Sequence, residues 1–401
     1  MAKSRTTLNL SRLGLCVTII ATTPIKNSHT KAFKGLFGVV LMVRASLIWL
    51  NYNSLGFMDI ALKSIESVLN LDFNDYEVVI VDNASSDGSF ERIRKFVEEK
   101  KPSSVRVKFV RSDVNRGYAG GMNLGWEARD PETKYVAFLN NDLIVESSSL
   151  KDLVNYMESD EKLAAASGLI YFSDRKSIYT AGCYGTDHWN FSGICGNMLE
   201  HECPGINKFH YVTYADGAYM VVKTEIIKKV CPAGKPFIDE TFLYLDDYLL
   251  GLILWNRGYR VAYIPSKSGY HYVHSTIKST INYKSTIDYY YGIRANTALI
   301  MLLSTRFSWI KSVYLLRRDI GYKILRLFKG EYDKAYKGYQ DGIRLAQILR
   351  DKIGFRLDLH KAPYVKINYL DFILLDFMML NRIHHKSLII THEMLINPGL
   401  I

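Results

Sequence analysis

No stretch of 18 uncharged apolar residues occurs in the 401-residue chain, so there is no transmembrane helix to assign. The five cysteines (Cys16, Cys183, Cys195, Cys203, Cys231) are odd in number and include no C-x-x-C pair. That fits a reduced, intracellular protein better than a disulfide framework. Internal repeats and low-complexity linkers are missing too. No Gly-Lys-Ser/Thr closes a glycine-rich loop, which excludes a P-loop. The first apolar run ends in Asn51-Tyr52-Asn53 rather than in a dinucleotide fingerprint.

What is present is a large core and an uneven charge. Hydrophobic residues make up 48% of the chain, aromatics 13%, and there are 28 tyrosines. The net charge is +11, and residues 281–401 hold 19 Lys/Arg against 10 Asp/Glu, so +9 belongs to that part. Such a basic region points to anionic lipid, nucleic acid or acidic ligands, or else to an ordinary solvated face. Nucleic acid is disfavoured because no binding motif accompanies the charge. At the N-terminus, Lys3, Arg5 and Arg12 precede a short apolar run over residues 13–21. This resembles a signal peptide without a cleavage site. Residues 1–43 are read as a peripheral or poorly ordered extension, and the protein as cytoplasmic.

From residue 45 the pattern becomes regular. Residues 45–50, 78–81 and 136–139 are apolar runs of strand length, and residues 105–110 read as a further strand. Between the first two, Met58, Ala61, Leu62, Ile65, Val68 and Leu69 recur at helical spacing; Phe90, Ile93 and Val97 do so after the second. A further helix is expected near residues 148–157. Alternating strands and helices predict an α/β fold with a doubly wound, mostly parallel sheet. Further strands are expected over 219–222 and 259–264, and a helix from near Asp246. Residues 175–210 read as a loop holding Cys183, His188, Cys195, His201, Cys203 and His210. Their spacing matches no zinc pattern, so a substrate-facing loop is the better reading. Beyond about residue 285 the chain reads as helical and basic.

The chemistry is expected where strands end. Asn140-Asn141-Asp142 follows the run 136–139, at the edge where open α/β sheets bind ligands. A carboxylate there suits a divalent cation and a diphosphate, although Asn and Asp are also turn residues. Asp246 and Asp247 open a helix, where acids also serve the helix dipole. Gly117, Gly120, Gly121 and Gly125 allow close backbone approach and tight turning.

Five segments occur in the order of a known family. They are Asn51-Tyr52-Asn53, residues 81–89 (VDNASSDGS), residues 115–123 (NRGYAGGMN), Leu139-Asn140-Asn141-Asp142 and Tyr244-Leu245-Asp246-Asp247. Over residues 44–300 the chain resembles the family 2 inverting glycosyltransferases of the GT-A fold, in particular the rhamnosyltransferase-like branch. Asn140 stands where many members have Asp, and the Q-x-x-R-W motif of processive members is absent. The resemblance implies a catalytic domain over 44–285; the helical, basic C-terminal region over 286–401 is read from its own pattern, and from about residue 310 it has no clear family counterpart. The resemblance implies a nucleoside-diphosphate sugar donor and a glycan or lipid-linked acceptor. It also implies Mg²⁺ or Mn²⁺, with Asp142 as ligand and His271 as second ligand or phosphate contact. Tyr52, Asn53, Asp82, Asn83, Gly117, Gly120, Gly121, Asn123, Asn140 and Asn141 would line the donor site. Asp247 would be the general base, and Asp246 a partner to metal, sugar or helix terminus. The competing readings are a glycoside hydrolase, which also uses paired carboxylates, and a nucleotide-sugar-binding protein with a degenerate site. For residues 299–329, where apolar and basic residues interleave, the expectation is docking on an anionic membrane surface or packing as core helices.

Overall fold

A computed structural model describes residues 44–273, 284–328, 331–366 and 395–396. The expectation for residues 1–43 lies outside the described residues. The chain begins with β1 (Ala45–Asn51), α1 (Met58–Leu69), β2 (Tyr76–Asp82), α2 (Ser89–Lys100), β3 (Arg106–Arg111), α3 (Gly117–Ala128) and β4 (Tyr135–Asn140). Then come β5 (Leu143–Val145), α4 (Ser149–Glu158) and β6 (Leu163–Phe172). The excursion 178–211 forms β7 (Ile178–Thr180), β8 (Cys183–Thr186), β9 (Asn190–Gly193) and β10 (His210–Tyr211). Next are β11 (Tyr219–Lys223), α5 (Thr224–Val230), α6 (Asp246–Asn256) and β12 (Arg260–His271).

The main sheet has the order β10-β12-β6-β11-β4-β1-β2-β3. Strands β4, β1, β2 and β3 are parallel, β11 runs against both neighbours, and β12 is parallel to β6. The apolar runs of β1, β2 and β4 are continuous because these strands are covered on both faces, whereas the edge strand β3 is only partly buried. In β1, β2 and β4 every aliphatic side chain but Leu50 is buried. The mixed α/β fold with a mostly parallel sheet is therefore as expected.

The glycine-rich segment, read as turning and close approach, is a helix that exploits both properties. Gly117 has φ +68°, and a Cβ there would collide with the Phe242 carbonyl. A Cβ on Gly121 would lie 2.6 Å from Leu50 Cδ1, and one on Gly125 would collide with Ile48. The missing side chains let α3 lie directly on β1. Residues 175–210 are more structured than expected, because their short strands pair with one another and with β6 and β12. The reduced-cysteine expectation also needs correction: Cys195 and Cys203 form a disulfide, Sγ–Sγ 2.02 Å. The loop fold brings the two together, and no motif marks the pair. Cys16 lies outside the described residues. Among the described residues no group of three or more His, Cys, Asp or Glu side chains is arranged to hold a metal ion.

The C-terminal part is helical, as expected: α7 (Lys284–Leu302), α8 (Lys311–Phe328) and α9 (Glu331–Ile353). Gly338 and Gly342 let α9 press onto α7, since a Cβ at either would sit 2.6 Å from the carbonyl of Tyr290 or Arg294. Short strands β13 (Leu303–Ser304), β14 (Leu357–Asp358), β15 (Tyr364–Val365) and β16 (Leu395–Ile396) complete the described chain. β15 pairs with β8, which ties this region to the 178–211 excursion. No helix among the described residues is long and apolar enough to cross a membrane.

Candidate active site

Because β1, β2 and β4 are parallel, Asn51, Asp82 and Asn140 end on one edge of the sheet. Asn51 organises that edge. Its amide donates to Asp82 Oδ1 (2.9 Å), Ser85 Oγ (3.1 Å) and Ser89 Oγ (3.2 Å). Its carbonyl accepts from Ser54 (2.6 Å) and Asn141 (3.4 Å). Asp82 is fully buried, accepts the Ser85 amide and pairs with Arg111 Nε at 3.2 Å. A ligand reaching its carboxylate directly has to displace one of these partners. Tyr52 and Asn53 are half-buried in the loop above, and Asn53 is fixed to Ser85 and Ser86.

Asn83 receives the Arg116 amide and donates to Asn115 Oδ1 and the Gly117 carbonyl, so it starts α3. Asn123, one turn and a half along, donates to the Phe237 carbonyl and to Asp239. Gly120 takes no Cβ without crowding Arg116. These donor-site candidates thus share a neighbourhood, with Asn83 and Asn123 acting on backbone segments.

The turn after β4 is held from α1, where Ser64 takes the Trp49 indole N–H and donates to the Leu143 carbonyl. This fixes Asp142, whose carboxylate meets His271 Nε2 at 3.1 Å. His271 is the last residue of β12, paired with Leu143 of β5. Both side chains are less than a tenth exposed. Burial pulls the His271 pKa down, but Asp142 and then Asp216 outweigh it and the net shift is upward. His271 Nδ1 is buried without a hydrogen-bond partner, and the Tyr179 ring stands edge-on at 4.7 Å.

Asp216 was not singled out in the sequence, yet it sits between the two sets of candidates. It accepts the Ala218 amide at 2.8 Å and the Cys183 thiol at 3.6 Å. Its charge acts on His271 on one side and on Asp247 on the other. Burial pushes its own pKa up. An Asp-Gly immediately before a strand on the ligand edge is the signal that could have found it.

Asp246 and Asp247 begin α6 as expected, but they face different surroundings. Asp246 is buried, bonded to the Thr241 hydroxyl, and burial pushes its pKa up to about 8. Asp247 is partly exposed and accepts the amides of Gly217 (3.1 Å) and Tyr248 (2.8 Å). Burial first, and Asp216 second, raise it to about 7. Tyr118 donates to the Gly217 carbonyl at 2.7 Å beside it. The segment leading in holds Phe242, Tyr244 and Leu245 at φ of 63°, 66° and 74°, a left-handed conformation costly for such residues. From the C-terminal helices, Arg294 donates to the Glu240 and Thr241 carbonyls, and Lys352 pairs with Glu240 at 2.7 Å. The strained segment is therefore clamped from α7 and α9.

An uncharacterised glycosyltransferase of Haemophilus influenzae is 29% identical over 112 residues, 28% of this chain and 41% of that protein. The chain thus spans about two fifths of the length of that curated relative. An Escherichia coli UDP-Glc:alpha-D-GlcNAc-diphosphoundecaprenol beta-1,3-glucosyltransferase is 22% identical over 61% of this chain and 84% of its own. A solved mannosyltransferase of Pyrobaculum calidifontis, in complex with GDP-Man and Mn²⁺, superposes over 86% of this chain and 81% of its own, with 14% identity and a TM-score of 0.45. Residues 46–230, which carry Asp82, Asp142 and Asp216, match the family model for Glycosyl transferase family 2, and with the relatives this supports a family 2 glycosyltransferase.

Proposed function

We propose that the protein is a metal-dependent, inverting family 2 glycosyltransferase of the GT-A type and the rhamnosyltransferase-like branch. It moves a hexosyl or deoxyhexosyl group from a nucleoside-diphosphate sugar to a hydroxyl of a glycan or lipid-linked acceptor. The observation that carries the reading is the gathering of Asp142–His271 and Asp247 on one edge of the sheet, with Asp216 acting on both. Asn140 in the metal motif supports the branch, and the lipid-linked substrate named for the Escherichia coli relative supports that acceptor class.

The Asp142 carboxylate, with His271 Nε2 beside it, suits a hard divalent cation that takes its remaining ligands from phosphate and water. Asp142 and His271 would hold Mg²⁺ or Mn²⁺, which when bound offsets the charge of the diphosphate leaving group. The loop of Tyr52, Asn53 and Asp82 would hold the nucleoside. Asp247 would take the proton of the acceptor hydroxyl as its oxygen bonds to the anomeric carbon and the bond to phosphate breaks. A carboxyl raised to about 7 is a stronger base than an ordinary one, and its partial exposure leaves it open to the acceptor. Asp246, sealed against Thr241, would set the start of α6 rather than touch substrate.

The test is a thermal-shift screen of nucleotide sugars with and without Mn²⁺, followed by anomeric analysis of the product. A bound donor raises the midpoint by mass action. A protein that binds no donor in either condition sinks the proposal, and a product of retained configuration sinks its inverting step.

A further inference from the structure

We infer that α8 is a docking surface for an anionic lipid bilayer, an inference that stands whether or not the protein transfers sugar. The helix carries apolar residues on both its inward and its outward face. Its inward face carries Tyr314, Arg318 and Tyr322, all buried. The Arg318 guanidinium donates to Asn296 Oδ1 (2.5 Å) and to the Tyr322 hydroxyl (3.0 Å), and lies against the Tyr314 and Tyr322 rings. The outward face carries Val313, Leu316, Ile320, Ile324 and Leu327, preceded by Trp309 on the adjoining turn. Their spacing of three and four residues makes one stripe, and they are 48% to 77% exposed. Phe328 extends it at 77% exposed. A helix facing water puts apolar residues inward and charge outward. Here a guanidinium is inside and the aliphatic stripe is outside, the arrangement expected where the outer medium is itself apolar.

The charges beside the stripe choose the occupant. Arg317, Lys323 and Arg326 are exposed along it, and Asp319, paired with Lys323 at 2.7 Å, is the single acid of α8. An apolar stripe rimmed by cations, with a tryptophan at one end, matches acyl chains below an anionic headgroup layer. A second copy of this chain would bring the same basic rim against itself in a two-fold interface. The helix is too short and too charged to span, so it lies along the surface. Because α7 and α9 are clamped to the segment before Asp247, docking would hold the candidate active site at the membrane.

The experiment is co-sedimentation of the full chain with phosphatidylcholine vesicles, with and without phosphatidylglycerol, at low and high salt. Sedimentation velocity without vesicles runs alongside. The native protein is expected in the pellet with anionic vesicles at low salt and to leave it as salt rises. The triple variant Leu316→Ser, Ile320→Ser, Ile324→Ser should stay in the supernatant with an unchanged melting curve, since these side chains are exposed. Arg317→Glu with Arg326→Glu should weaken partition about tenfold or more, from the contribution of each basic residue near an anionic surface. The inference is overturned if the native protein ignores anionic vesicles, if both variants bind as it does, or if neutral vesicles bind it equally. It is also overturned if the native protein is a dimer that the triple variant dissolves while neither binds vesicles, which would assign the stripe to a second copy.

Discussion

Replacing Asp216 by Asn should move the acid limb of the transfer rate to lower pH. Asn keeps the shape, can still accept the Ala218 amide and turns a donor toward the Cys183 sulfur in place of an acceptor, so the main change is one of charge. Asp247 is raised to about 7 by burial and then by Asp216. The sign follows: Asp247 must be ionised to accept a proton, so activity rises with pH through its pKa, and removing a neighbouring negative charge eases ionisation. A like charge close by raises a carboxyl pKa. Asp216 is the second cause, after burial, of the rise to about 7, so it accounts for the smaller part of the upward pull. A drop of about 1 unit, or roughly 1.4 kcal/mol, is expected. The assay is kcat/KM from pH 5 to 9 for native protein and variant, which reports groups of the free enzyme. A limb that stays in place or moves upward refutes the placement of Asp247 as the base sensed by Asp216.

Asp142→Asn should abolish cation-dependent donor binding while leaving the melting curve within a few degrees of native; donor binding that survives both EDTA and the substitution removes Asp142 from the metal site. Asp247→Asn should remove transfer yet keep donor affinity, checked by calorimetry with the nucleotide sugar. Gly125→Ala gains about 1 kcal/mol of helix propensity, but its Cβ collides with Ile48. A net loss in urea unfolding is expected, with overpacking costing roughly 1–3 kcal/mol. Arg294→Met removes the donors to the Glu240 and Thr241 carbonyls and should lower kcat more than donor affinity, because it loosens the segment before Asp247.

The half of the sheet that binds nucleotides in the proposal was legible because β1, β2 and β4 are buried on both faces and end in polar residues. Other parts were hidden for physical reasons. The run LAAASGLIYF of β6 is dominated by small residues that fit strand, helix or loop alike, so burial rather than propensity made it a central strand. In α3 four glycines argue against a helix locally, and only contact with β1 shows why they are there. His271 was expected just after a strand and proves to be its last residue, since β12 runs past Pro265, where the apolar pattern stops. Asp216 carries no motif of its own; its place between His271 and Asp247 depends on β11 running antiparallel to β4. Over residues 299–329 the apolar spacing was visible, but which residues would be covered was not: Leu299 of α7 and Leu303 of β13 are core while Ile320 and Ile324 of α8 are exposed.

The clamp on residues 240–241 has a consequence for how the protein is made. Strands β1 to β12 and both aspartates of the Asp246–Asp247 pair leave the ribosome before Arg294, and Lys352 follows about a hundred residues after them. The nascent chain can form its sheet, but its left-handed turn at 242–245 lacks both restraints until α9 is synthesised. Fixing of that turn thus waits on α7 and α9, and a chain that stops before Lys352 carries Asp246 and Asp247 without the second restraint.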